Sequence, residues 1–461
     1  MSYAYQDDAV AALVGSDRTH YLAFDAGLGK TKVALDTAWK RGVRRLLVVC
    51  PLSVTLVWAR EIARWWPGSP PVARLSAPGG ARALKSEGIF LASYGGFSRG
   101  RDLVESIKIA PPMDMTVLDE AHALKSTASN RTKAILSELR RAGKLGRVLP
   151  MSATPAPNHA GELYPVLRSL RPDLIPSACE PGKPMREAEF KDKYCDIEII
   201  SVRVKGRAAL RRVEVIRGSK NVDDLRARLS GFFIRETKAR VLHELPPLDF
   251  DVLPVEVADK DVLSVLDPFM DDETRLRRLQ AGGEGVAAAY HALGVAKVDA
   301  VVEYVRDWLD GNSRRQILVC AVHRVVIDRL TEGFFDLGVV KLDGRDSVIT
   351  RAGAIDQFLA GRARVFVLQV HAGGAGLTLV GPKTRCADVV FAESSFSPME
   401  NYQAACRVHR IGQRDGVLAR LASAAGTYDD RIQEILARKA KDFAELFPPR
   451  PEGRGFSRRF Q

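Results

Sequence analysis

No apolar run in the 461 residues reaches the roughly 18 that a membrane-spanning helix needs, so no membrane span is expected. The opening residues, MSYAYQDDAV, lack the basic-then-apolar pattern of a signal segment, and export is not expected. The six cysteines (Cys50, Cys179, Cys195, Cys320, Cys386, Cys406) contain no Cys-x-x-Cys pair. That scatter speaks against a zinc module and a disulfide framework. The thiols read as reduced and mostly buried, as in a cytosolic protein. What remains is a chain 46% hydrophobic and 27% charged, the balance of a soluble globular protein, with length for about three domains. Acid is scarce relative to base: 56 Asp+Glu against 69 Lys+Arg gives a net charge of +13. This fits a polyanionic partner, nucleic acid first. Part of the excess is local. From Arg203 to Lys220, seven basic residues (Arg203, Lys205, Arg207, Arg211, Arg212, Arg217, Lys220) meet one acid, Glu214.

Short apolar, β-branched runs alternate with helical patterns. The expected strands are His20–Phe24, Leu46–Cys50, Ile89–Ser93, Met115–Leu118 and Arg147–Met151. A second set is Gln316–Ala321, Val339–Leu342, Val365–Gln369 and Asp388–Glu393. Such runs between helices read as buried parallel strands of two open, doubly wound α/β domains. Chemistry then belongs at the carboxyl ends of the strands. Between the sets the sequence changes character. Pro-rich breaks appear after Arg171, and Val202 and Val204, then Val213 and Val215, alternate with charge as in a β-ribbon. Gly218–Asn221 reads as a turn and cap before a helix over Val222–Leu229. Residues Asp259–Leu293 are helical by composition. The expected division is a first lobe over 1–160, a mainly helical, partly β insertion over 161–292, a second lobe over 293–447, and a disordered basic tail over 448–461.

The strand His20–Phe24 runs into Gly27-Leu28-Gly29-Lys30-Thr31, which opens a helix through Trp39. Glycines let backbone N–H groups approach phosphate oxygens, and the helix start adds its positive dipole end. Lys30 is assigned to the β- and γ-phosphates of ATP and the Thr31 hydroxyl to Mg²⁺. Phe24 stands where the strict phosphate-loop pattern has its first glycine. Gln6 upstream is a candidate adenine contact. The strand Met115–Leu118 delivers Asp119-Glu120-Ala121-His122. Asp119 would hold the water shell of Mg²⁺, Glu120 would orient and deprotonate the attacking water, and His122 would couple them onward. Ser152-Ala153-Thr154 follows another strand, and its hydroxyls could relay a γ-phosphate signal, although in isolation it reads as a turn. In the second half, Gly376 belongs to a glycine-rich run that could bind phosphate or backbone. Gln403, Arg407 and Arg410 follow. Arginines three apart on one helical face can reach into a neighbouring lobe and present planar forks to phosphate.

These segments carry a resemblance. FDAGLGKT, CPLSVTLVWAREI, LDEAHALKS, MSATPAPN, LDGRDS, AGGAGLTLV and QAACRVHRIGQR, spread from Tyr5 to Gln413, resemble the Swi/Snf-type ATPases of helicase superfamily two. Glu162-Leu163-Tyr164, Lys193-Tyr194-Cys195, Gly218–Asn221 and Ile234–Lys238 look closest to its annealing-helicase (HARP-like) branch. The resemblance implies two RecA-like lobes and a motor that hydrolyses ATP and tracks along duplex or branched DNA, usually without separating the strands; the oligomeric state is left open, with a monomer expected. Arg407 and Arg410 would act as arginine fingers. Two departures stand out: Phe24-Asp25-Ala26 replaces the usual Asp-Glu-Met, and Ala405-Cys406 replaces acidic residues before the arginines. No reader domain or nuclease motif is recognisable, which disfavours a chromatin role. A strand-separating DNA or RNA helicase and a nucleotide-gated DNA clamp with vestigial hydrolysis are the alternatives. Localisation is expected to be cytoplasmic in a bacterial or viral setting and nuclear in a eukaryotic one.

Overall fold

The computed structural model describes residues 2–447 apart from 78–79, 100, 204–209, 258–283 and 372–376. The tail over 448–461, most of the helical stretch over 259–293, Gly376, and Lys205 and Arg207 of the basic cluster therefore lie outside the described residues. The chain divides into two compact units. One comprises Met1–Ile197, Ile216–Leu242 and Asp442–Gln461, the other Glu198–Val215 and His243–Lys441.

In chain order the first unit's strands are β1 (Tyr21–Phe24), β2 (Arg45–Cys50), β3 (Val72–Arg74), β4 (Gly88–Ser93), β5 (Met115–Asp119) and β6 (Arg147–Met151). A ribbon of β7 (Cys195–Arg203) and β8 (Leu210–Ser219), most of it in the second unit, follows in the chain before the first unit's β9 (Phe233–Glu236). Seven of these form one sheet in the order β3-β4-β2-β5-β6-β1-β9, and every neighbouring pair is parallel. Strands β1, β2, β4 and β5 are buried along their whole length, which is why they read as unbroken apolar runs. β9 alternates half-buried and buried residues, as an edge strand covered on one face does.

Two arginines outside any motif hold this sheet's surroundings. Arg45, at the start of β2, donates to the carbonyls of Leu84, Ser86, Pro111 and Pro112 and so ties two loops together. Arg41 donates to the carbonyls of Leu13, Val14 and Ser16, satisfying the last turn of the helix Ala4–Gly15. The expected β-ribbon is present as β7 and β8. Asn221 does stand at the N-cap position of the helix Val222–Arg228, but it adopts φ 50° and makes no capping bond. Its side chain donates instead to the Lys193 carbonyl at 2.7 Å.

The second unit is built on β10 (Leu248–Pro254), β11 (Gln316–Ala321), β12 (Val339–Leu342), β13 (Val365–Gln369), β14 (Cys386–Phe391) and β15 (Val417–Ser423). The order is β10-β15-β14-β11-β13-β12, again parallel throughout. Both expected doubly wound lobes are therefore present. The expected insertion over 161–292 is shared between them: β9 completes the first sheet beside β1, and β10 completes the second beside β15.

Within the second unit, Lys297 is 1% exposed and donates to Asp429 and to the Ala422 carbonyl at 3.0 Å. Asp429 also accepts from the Ala424 N–H at 3.0 Å. This pair fastens the start of the helix Tyr428–Leu446 to the end of β15. Lys297→Ala would leave a buried carboxylate without its cation, and we expect it to cost about 3–5 kcal/mol in the lobe's urea denaturation. Loss of less than about 1 kcal/mol would show that water reaches the pair.

Candidate active site

Three neighbouring strands of the first sheet, β5, β6 and β1, end in the three segments to which the sequence assigns chemistry. After β1 the chain turns through Gly27 (φ 90°) and Gly29 (φ 82°) before the helix Lys30–Lys40 begins. Both φ values lie where side chains are strained, so glycine is required twice in this turn. Space requires it as well at Gly29, where a Cβ would sit 2.4 Å from Gln6 Nε2. Gln6 is buried, and its Nε2 donates to the Leu28 carbonyl at 3.0 Å, with Tyr5 Oη donating to the same oxygen at 3.3 Å. The helix Ala4–Gly15 thus clasps the loop at its start, while Arg41 holds its end. Lys30 Nζ donates to the Phe24 carbonyl at 2.9 Å and the Asp25 carbonyl at 3.3 Å, lying along the loop it follows. Thr31 is half-buried at the first turn of the helix.

Strand β5 pairs with β6 in the register Asp119↔Met151, so the next residues, Glu120 and Ser152, leave the sheet side by side. Glu120 takes φ 54°, one of two non-glycine residues described with positive φ. Its carboxylate accepts from Ser152 Oγ at 2.8 Å, and His122 Nδ1 lies 2.9 Å from the same hydroxyl. Ser152 Oγ in turn accepts from the Thr154 N–H at 3.0 Å. The Ser-Ala-Thr segment is therefore more than a turn: it is hydrogen-bonded directly to the acidic motif.

The two carboxylates are pushed in opposite directions. Burial, then the charge of Glu120, raises the Asp119 carboxyl well above the ordinary range, against the Trp58 hydrogen bond and the charge of Lys30. Burial also works to raise Glu120. The hydrogen bond and charge of His122, the charge of Lys30 and the Ser152 hydroxyl outweigh it and hold Glu120 below the ordinary range. An acceptor kept ionised beside an acid that burial tends to neutralise is the pattern of divided roles.

A cation fits this arrangement, because a positive charge at Asp119 would relieve the very burial that raises it. Among the described residues no group of three or more His, Cys, Asp or Glu could enclose a metal. Mg²⁺ keeps most of its waters and takes one or two protein oxygens together with substrate phosphates. Thr31 and Asp119 are the residues that would hold it.

Trp58 is a site residue that motif reasoning passed over. It lies in the helix Thr55–Trp65, fully buried, and its Nε1–H donates to Asp119 Oδ2 at 2.8 Å. Only the packing of that helix against the sheet brings it to the acid. The Asp25 carboxylate likewise accepts from the Lys238 N–H at 3.0 Å, a contact that depends on β9 returning beside β1.

In the second unit, Gln403 lies on the helix Pro398–Ala405, which ends before the arginines. Arg407 and Arg410 sit on the turns that follow rather than on a continued helical face, because the chain tightens there: Arg407 N donates to the Ala404 carbonyl and Val408 N to the Ala405 carbonyl. Arg407 is 6% exposed. Arg410 donates to Thr378 Oγ1 at 2.9 Å and to the Cys406 carbonyl at 3.1 Å, so it reaches the segment just after the glycine-rich run. Burial, then the charge of Arg407, lowers the Arg410 guanidinium to about 10.

Trp58→Phe keeps an aromatic ring, smaller than the indole, and withdraws the indole N–H from Asp119. We expect it to destabilise the first lobe by about 1–3 kcal/mol in denaturant titrations without nucleotide. An unchanged midpoint would show that water replaces the indole.

Residues 5–263 match the family model described as the SNF2-related domain, and residues 296–412 match the helicase conserved C-terminal domain. A Xenopus tropicalis protein named SWI/SNF-related matrix-associated actin-dependent regulator of chromatin subfamily A-like protein 1 is 30% identical over 95% of this chain and 44% of its own length. The human DNA annealing helicase and endonuclease ZRANB3 is 26% identical over 95% of this chain and 39% of its own length. The chain thus spans less than half the length of these relatives. The helicase domain of Pyrococcus furiosus Hef superposes with a TM-score of 0.52 at 14% identity, covering 94% of this chain and 97% of that one, a likeness of fold. With more than half of its residues matched by that one model, this chain belongs to the SNF2-related family.

Proposed function

We propose that the chain is a DNA-dependent ATPase that moves along duplex DNA and remodels DNA structures or protein–DNA complexes. The observation that carries the reading is the hydrogen-bonded set of Glu120, Ser152 and His122 beside a glycine turn that ends in Lys30 and Thr31. Family membership supports it. In this reading the N–H groups of Gly27, Leu28 and Gly29 and the Lys30 ammonium receive the phosphates of ATP, and Gln6 steadies the loop and meets the adenine. Lys30 would have to leave the carbonyls of Phe24 and Asp25, exchanging two neutral acceptors for charged ones.

Magnesium, when bound, supplies charge that draws electron density from the γ-phosphate. Thr31 would ligate it and Asp119 would hold its water shell. Glu120, held ionised, takes the proton of the attacking water. Its position is fixed by Ser152 and His122, so a change at the phosphate is felt along β6. Gln403, Arg407 and Arg410 are assigned to offset the charge that develops on transfer. DNA is held chiefly through its phosphates, so binding is salt-sensitive and largely independent of sequence.

ATP hydrolysis with and without duplex DNA tests the whole. Wild type should be stimulated by duplex, and equal rates would refute the translocase reading. Glu120→Gln should lower kcat by about 10²–10⁴ while ATP still binds. Arg407→Ala or Arg410→Ala should lower it by about 10³–10⁵. Strand displacement without triplex displacement would point to a strand-separating helicase instead.

A further inference from the structure

The second sheet carries a feature that ATP chemistry does not use. Three loops lead into its adjacent strands β15, β14 and β11, and each brings arginine: Arg414 before β15, Arg385 before β14, Arg314 and Arg315 before β11. With Gly381, Gln413 and others they line a concavity of about 640 Å³. It lies at the amino ends of the strands, whereas Glu393, Val370 and the glycine-rich run follow the carboxyl ends of β14 and β13.

The concavity is built rather than incidental. Gln413 Nε2 donates to the carbonyls of Cys386 (2.8 Å) and Val408 (2.9 Å), and its Oε1 accepts from the N–H of Arg414 (2.9 Å) and Asp415 (3.2 Å). Gln316 performs the same service beside it, accepting from Arg385 N–H at 3.0 Å while donating to the carbonyls of Phe358 and Ala363. Both glutamine side chains are spent on fixing loops. Asp415 is the sole acid of the lining, and it pairs with Arg315. Arg314, Arg385 and Arg414 are exposed and have no carboxylate partner among the described residues. Ile411, 49% exposed, adds an apolar surface at the rim.

We propose that this concavity binds the phosphate backbone of nucleic acid, as a contact separate from any at the carboxyl ends of the strands. Two strand spacings set the row of three loops about 10 Å wide. One strand of a duplex carries a charge about every 3.4 Å along the axis, so the row spans about three phosphates. Guanidinium forks suit those oxygens, and Ile411 suits the sugar between them. The proposal rests on the DNA-binding part of the function above, and it assigns a second DNA segment, such as another arm of a branched substrate, to the amino-end face.

The test is the full chain with Arg314→Gln, Arg385→Gln and Arg414→Gln combined, leaving the Arg315–Asp415 pair intact. Binding to a three-armed fork and to a short linear duplex is followed by fluorescence anisotropy across a salt series. Fork affinity should fall at least about tenfold, and its log–log salt dependence should flatten by about 2–3 units. The kcat of hydrolysis at saturating linear duplex should not change. Wild-type fork affinity with an unaltered slope overturns the proposal. So does a variant that loses affinity for poly-glutamate while keeping that for DNA, since the face would then serve an acidic polypeptide. Anisotropy needs no hydrolysis. An ATPase indifferent to duplex would therefore refute the motor while a flattened slope still established the DNA contact.

Discussion

The active half of this molecule depends on one register. Because Asp119 pairs with Met151 across β5 and β6, the residues after them, Glu120 and Ser152, emerge side by side. One hydroxyl then joins the acidic motif, His122 and the Thr154 backbone. A slip of one residue would turn Glu120 to the other face and leave Ser152 with nothing to hold. The positive φ of Glu120 is consistent with this, since strained backbone persists where its surroundings over-determine it.

Electrostatics gives each lobe a distinct bias. In the first, two adjacent carboxylates share the charge of one lysine, and burial raises Asp119 while its neighbours keep Glu120 ionised. In the second, the half-buried Arg410 lies near Arg407, and desolvation and that neighbouring charge both disfavour its own. The same lobe then presents exposed, fixed arginines at the opposite ends of its strands, where desolvation is slight and the charges remain available to a polyanion.

Much of the scaffold was readable from pattern. All five strands expected in the first set and all four expected in the second appear with ends within about two residues, because buried parallel strands leave an unbroken apolar signature. The strands that pattern missed are β3, β9, β10 and β15. β9 carries Arg235 and Glu236 and β10 carries Asp249 and Asp251, so neither reads as a core strand. Trp58 was invisible for a different reason. An indole in an amphipathic helix looks like core, and only packing shows that its N–H points at Asp119.

By itself, the sequence determined two parallel-sheet lobes, a glycine turn ending in Lys30 and Thr31, and the ordered set of acids and arginines, because each is written in contiguous residues whose spacing carries the physics. Tertiary structure decided the rest. It closed both sheets with strands from the middle of the chain and placed the arginines on turns beyond a helix that stops at Ala405. It gathered Arg314, Arg385 and Arg414 from three loops up to 100 residues apart into one concavity. Residues so far apart in the chain become neighbours only through strand order, and strand order is set by which buried faces pack together, a property no local window of sequence contains.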